Sequence, residues 1–173
     1  MHIAEAQRAA TSKGMKMTGT INPFDGDQDR AQIWDMLVRR DIDAFVNQDW
    51  ALVADDFDEI RFLGIHAHHE ADPDKWDAGF PTLAAYRDEW LRQAAESAAT
   101  EFAESLSEGI FRATDLSVID ITGDVAVARK KFYGTIAKKD GSVDRLNWQT
   151  LYFCRRDGTR WKITGFVGYM RYR

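Results

Sequence analysis

The chain has 173 residues, 45% of them hydrophobic and 29% charged, a balance that builds one hydrophobic core of ordinary size and excludes disordered and fibrous classes. Acidic residues outnumber basic ones 28 to 23, so the net charge of -5 gives no general attraction to phosphate backbones or anionic lipid, and neither nucleic acid nor a membrane is expected as a partner. A single cysteine, Cys154, cannot close an intramolecular disulfide, and the sequence shows no signal-peptide block and no apolar run of about 20 residues, which makes cytoplasm the expected location.

Residues 1–26 are weakly patterned and read as an N-terminal arm able to pack on a partner subunit; residues 27–173 read as a single domain without linker or repeat. Ile33, Trp34, Leu37, Val38, Ile42, Phe45 and Val46 recur at the spacing of one helix face, so a long amphipathic helix is predicted to end near Asn47. Asp49 can cap a short second helix over Trp50 to Asp55. A strand follows over Glu59 to His66, then a polar loop to Gly79. Thr82 can cap a third helix whose apolar face is Leu83, Tyr86, Trp90, Leu91 and Ala94 and which runs to about Ala98. Glu101 to Ala113 fits a helix or an extended lead into a sheet, with strand expected after Gly109.

The last third is rich in Val, Ile, Phe, Tyr, Trp and Thr, which predicts strands over Leu116–Ile121, Val125–Ile136, Leu146–Arg155 and Trp161–Met170. Their connections, Thr122-Gly123-Asp124, Lys138 to Ser142 and Arg156 to Thr159, are short and carry Gly beside Asp or Ser, as antiparallel hairpins require. The fold class is therefore α+β, with a curved mixed or antiparallel sheet wrapped around three N-terminal helices.

Two passages carry a resemblance. Phe45-Val46-Asn47-Gln48-Asp49-Trp50 with Val53-Ala54-Asp55-Asp56-Phe57, and the closing Asp157-Gly158-Thr159-Arg160-Trp161-Lys162-Ile163-Thr164-Gly165-Phe166, resemble recurrent features of the NTF2-like superfamily and, within it, of the SnoaL-like group. The resemblance covers about Ala31 to Tyr169. It implies a cone-shaped sheet with an apolar cavity, homodimers formed through the sheet, and a small apolar molecule as ligand. Such proteins include ketosteroid isomerases, scytalone dehydratase, polyketide cyclases and limonene epoxide hydrolases, whose reactions depend on a few polar groups set in the cavity. The acid-base sets of the isomerase, cyclase and dehydratase find no complete match here, so none is carried over.

The densest polar cluster, Ile65 to Asp72, holds three of the four histidines. His66 and His68 share a face if the strand persists, and with Glu70 they offer two imidazoles and a carboxylate to a metal, against the plainer reading of a solvated loop. His66 alone, at the end of the first strand, is the preferred acid or base, because an imidazole titrates near neutral pH. Its competing reading is a histidine that hydrogen-bonds the neighbouring loop.

Asp56 is the second catalytic candidate, as a helix-terminal acid that reaches the cavity, and it competes with a turn-forming role. Trp34, Tyr86, Trp90, Trp148 and Tyr152 are expected to shape a cavity for a ring, although such aromatics also serve as ordinary core. Strand parity puts Trp148, Thr150, Tyr152 and Cys154 on one face, and Ala126, Ala128, Phe132 and Ile136 together on another strand. Arg129 either points inward to orient a ligand's polar end or outward, where Arg and Lys are common on a sheet face. Cys154 is most simply a small core residue.

No cofactor or metal is expected. The functional expectation is a cofactor-independent isomerase, cyclase, dehydratase or hydrolase acting on a small cyclic molecule, with a non-catalytic homodimeric ligand-binding or protein-interaction domain as the alternative.

Overall fold

The computed structural model describes residues 20–173, so residues 1–19 of the predicted arm lie outside the described residues. The first helix, α1, begins where Asp27 accepts a hydrogen bond from the Arg30 amide at 3.1 Å, and continues as an α-helical segment Gln28–Trp34, a π-helical segment Asp35–Arg40 and an α-helical segment Asp41–Val46. Met36, Leu37 and Val38 are all buried in the π segment, more of the circumference than one face of an α-turn hides. The predicted short helix is instead two 3-10 turns, Trp50–Leu52 capped by Asp49 and Ala54–Asp56.

Strand β1 is only Leu63–His66, because Asp58 closes a turn with Arg61 where the strand was expected to start. The predicted loop after it contains a further strand, β2 (Asp77–Phe80), paired antiparallel with β1. Asp77-Ala78-Gly79 lacks β-branched residues and alternation, so this edge strand is specified by its backbone partners and left no pattern in the sequence.

Helix α2 (Leu83–Ala99) starts at the predicted Thr82 cap. Helix α3 (Leu106–Ala113) replaces the strand expected after Gly109: Ser105 accepts from the Glu108 amide at 3.3 Å, a helix start the apolar spacing alone did not reveal. Gly109 marks no break. A Cβ there would lie 2.8 Å from Ile136, so the glycine lets α3 press against the sheet.

The remaining strands are β3 (Thr114–Thr122), β4 (Val125–Ala137), β5 (Val143–Asp157) and β6 (Arg160–Met170). They form a curved six-stranded mixed sheet in the order β2-β1-β6-β5-β4-β3, in which only β1 and β6 run parallel. Gly165 makes that parallel pairing possible, since a Cβ on it would stand 2.2 Å from the Leu63 carbonyl oxygen. One face of the sheet carries Ala126, Ala128, Phe132, Ile136, Tyr152, Cys154 and Phe166, all buried, as parity predicts. The helices cover this face and complete one core. No helix among the described residues is long and apolar enough to cross a membrane.

Candidate functional site

Between the helices and the inner face of the sheet lies a cavity of about 140 Å³. Its walls are largely aromatic and aliphatic: Phe45 from α1, Tyr86 and Trp90 from α2, Ile110 from α3, and Phe132, Trp148 and Phe166 from the sheet. Phe132 and Trp148, opposite one another on β4 and β5, stack at 4.5 Å, and the Trp90 ring meets Phe45 edge-on at 5.6 Å. The polar groups on the lining are few: Asp41, Gln93, Thr150 and the hydroxyls of Tyr86, Tyr152 and Tyr169.

Among the described residues Asp41 is the only charged one on this lining, and it is not among the residues expected from the sequence. It opens the last α-helical segment of α1, and its Oδ2 accepts from Lys130 Nζ at 2.8 Å while Oδ1 accepts a long bond, 3.4 Å, from Trp90 Nε1. Lys130 lies behind it, 1% exposed, donates also to the Leu37 carbonyl at 2.5 Å, and sits 5.0 Å from the Phe132 ring centroid. Leu37 belongs to the π segment of α1, and its carbonyl takes the ammonium. The buried cation thus has a carboxylate, a carbonyl and an aromatic face around it, as burial of charge demands.

The phenols nearby stay protonated. Burial raises Tyr86 and Tyr152 well above the ordinary range, and the negative charge of Asp41 adds to both. The neighbouring phenol of Tyr152 adds to the rise at Tyr86. Tyr169, with φ of +55°, is also raised by burial, and its oxygen accepts from Gln93 Nε2 at 2.9 Å.

Four of the predicted ligand-binding residues, Tyr86, Trp90, Trp148 and Tyr152, meet on this lining. The other candidates fall elsewhere. Trp34 is buried in the core with Arg39 over its ring at 5.2 Å and does not reach the cavity. Arg129 points outward, half-exposed, and pairs with Asp120 at 2.9 Å, because its odd position on β4 faces away from the helices.

Asp56 is buried, yet both oxygens are held by Arg40 at 2.7 and 2.9 Å, with Arg160 at 3.4 Å. It ties α1 to the start of β6 and is absent from the lining of the main cavity.

His66 also lies off the lining. Its ring stacks between His68 at 4.1 Å and Tyr169 at 4.4 Å, and Nδ1 accepts from the His68 amide at 3.0 Å. Burial lowers its pKa below the ordinary 6.5 and the charge of His68 adds to that, while Asp77 and Glu89 oppose it. The competing reading of a histidine bonded to its own loop describes this geometry. His68 bonds Asp77 at 2.9 Å and Glu70 pairs with Lys75 at 3.2 Å, and the described residues contain no cluster of three or more metal-binding side chains.

The missed residues did leave a signal. Lys130 shares the parity of Ala126, Ala128 and Phe132, so it is the inward charge on β4, where the sequence reading had weighed only Arg129. Asp41 continues the four-residue stripe of Leu37 and Phe45.

Neither a family profile nor a curated protein matches this sequence. Solved structures do, among them an NTF2-like protein of unknown function from Shewanella baltica OS155, with a TM-score of 0.52 and 13% identity over 82% of this chain and 92% of that one. A protein from Novosphingobium aromaticivorans, provisionally named an aromatic ring hydroxylase, has a TM-score of 0.53 and 20% identity, covering 81% of this chain and 87% of its own. An NTF2-like protein of unknown function from Pseudomonas putida KT2440 has a TM-score of 0.51 and 14% identity, over 80% and 83%. At these identities the likeness concerns the fold, and the fold of this chain is NTF2-like.

Proposed function

We propose that this protein binds one small, cyclic, mainly apolar molecule in the cavity, and that its activity, if the bound molecule is turned over, is of the cofactor-independent isomerase, cyclase or dehydratase kind found among NTF2-like proteins. The observation that carries this reading is the make-up of the lining, aromatic walls with one carboxylate and three phenols among the described residues. The volume of about 140 Å³ is close to that of an engineered cavity of about 150 Å³ that holds benzene, so a single ring is the right size. A carboxylate facing phenol donors is also a minimal acid-base set, which favours turnover over passive carriage.

Trp90 and Trp148 line the cavity, so a ring that enters it alters tryptophan fluorescence. Titration with phenol and toluene is expected to saturate, and Thr150→Phe, which fills the space from β5, is expected to weaken both at least about tenfold. Absence of saturation at millimolar concentrations sinks the reading.

A second copy of the chain is proposed on the outer face of the sheet. Support comes from Val125 and Phe153, 51% and 38% exposed on neighbouring strands. Sedimentation is expected to give a dimer that Phe153→Glu weakens; a monomer at all concentrations removes this part of the proposal.

A further inference from the structure

The balance of charge at Asp41 specifies the ligand more narrowly than its size does. Asp41 has a side chain 31% exposed, lines the cavity, and has only Lys130 and a long contact from Trp90 on its oxygens. A carboxylate offers about four acceptor positions, so at least one is left for a guest. Lys130 cannot turn to that guest: it is 1% exposed, is not a lining residue, and already donates to Asp41 and to the Leu37 carbonyl. Its charge and that of Asp41 cancel, so a guest entering the corner meets no net charge but a directed acceptor, with the protonated phenols of Tyr86 and Tyr152 lining the same cavity.

We propose that Asp41 is the hydrogen-bond acceptor for a neutral ring hydroxyl, a phenol or ring alcohol, and that Lys130 is the positioning residue that holds it there. This assignment rests on the cavity reading above. A hydroxyl donates to an Asp41 oxygen and can accept from a phenol of the same lining, so both of its capacities are used. A hydrocarbon of the same shape strips water from the carboxylate and returns no donor. A ring carboxylate brings a second negative charge to Asp41, with Lys130 already committed behind it. A ring ammonium leaves the corner with one uncompensated positive charge, since Lys130 already balances Asp41.

The test uses the full chain, with phenol, toluene and benzoate titrated at pH 7 and followed by tryptophan fluorescence. Phenol is expected to bind about tenfold or more tightly than toluene, and benzoate more weakly than either. In the double variant Asp41→Asn with Lys130→Met, which removes both charges together, the phenol-to-toluene ratio is expected to fall severalfold while toluene affinity stays within about threefold.

Equal binding of phenol and toluene by the unaltered protein overturns the assignment and leaves the cavity reading standing. A ratio unchanged in a double variant that still binds toluene also overturns it. Failure of all three compounds overturns both readings. Should the double variant fail to fold, the order phenol, toluene, benzoate in the unaltered protein decides the matter.

Discussion

The molecule has two polar clusters beside its aromatic core, and they are built on opposite terms. At the Asp41 corner a lysine 1% exposed is fixed by a carboxylate and by a carbonyl of a π-turn, and the carboxylate faces the cavity. At the end of β1, His66 and His68 stack on one another, and His68, half-exposed, bonds Asp77 on the rim. The first cluster is a charge pair the fold must hold together; the second is an arrangement that solvent could replace. Titratable side chains crowded in sequence therefore lie off the cavity, whereas the corner beside it is built from two charges 89 residues apart that only the fold brings together.

The largest effect expected from breaking this contrast is that of Asp41→Ala. It leaves Lys130 buried beside a lone carbonyl, and a loss of about 3 kcal/mol or more in urea unfolding is expected. Lys130→Ala should cost less, about 2 kcal/mol, because Asp41 is 31% exposed and can hydrate. If Asp41→Ala is neutral, the corner is not a coupled pair. Next comes Gly165→Ala, at about 2 kcal/mol, since its Cβ would meet backbone at 2.2 Å and disturb the parallel ladder that carries His66. Its signature is that Leu63→Ala, in which the carbonyl remains, does not relieve it.

These two residues also show how far the sequence could be read. The hairpins, the long helices and the shared face of Trp148, Thr150, Tyr152 and Cys154 follow from alternation and turn chemistry, because each depends on near neighbours. Strand β2 and helix α3 do not, since one is specified by its partner strand and the other by a cap and by a glycine pressed on Ile136. For the site, Tyr86, Trp90, Trp148 and Tyr152 were legible as large aromatics, on one helix face and one strand face. Asp56 was misplaced because nothing local shows that Arg40, 16 positions before it, and Arg160, 104 positions after it, close on its oxygens. The parity that placed the aromatics would have placed Lys130 inward as well, but the π-turn that receives it has no signature in the spacing of α1.

A smaller effect separates the rim from the corner by pH. The His66 pKa is lowered in the folded chain, so between that value and the unfolded 6.5 the unfolded chain binds more protons. The contribution of neutral His66 to stability is therefore complete above about pH 6.5 and is lost as pH falls through the lowered value. The window is clear of Asp29, held at about 2 by Arg156 and Trp161, and of Glu89, held at about 2 chiefly by Arg92. Thermal melts from pH 8 to 5 should show the unaltered protein losing more than His66→Asn; parallel profiles would mean that the histidine is not desolvated.

The smallest expected effect is the sharpest check on which side of β4 faces the cavity. Arg129 precedes Lys130 directly, yet its ion pair with Asp120 joins side chains that are 51% and 61% exposed. Such a pair contributes about 0.5 kcal/mol or less, so Arg129→Ala should leave both the urea midpoint and phenol affinity nearly unchanged. A loss comparable to that of Lys130→Ala would place the arginine inside and reverse the parity of the strand. A shift in phenol binding without a stability loss would mean that the outer face communicates with the cavity, because no atom of Arg129 lines it. Adjacent residues of like charge thus serve as each other's control, and the difference between them isolates burial from charge.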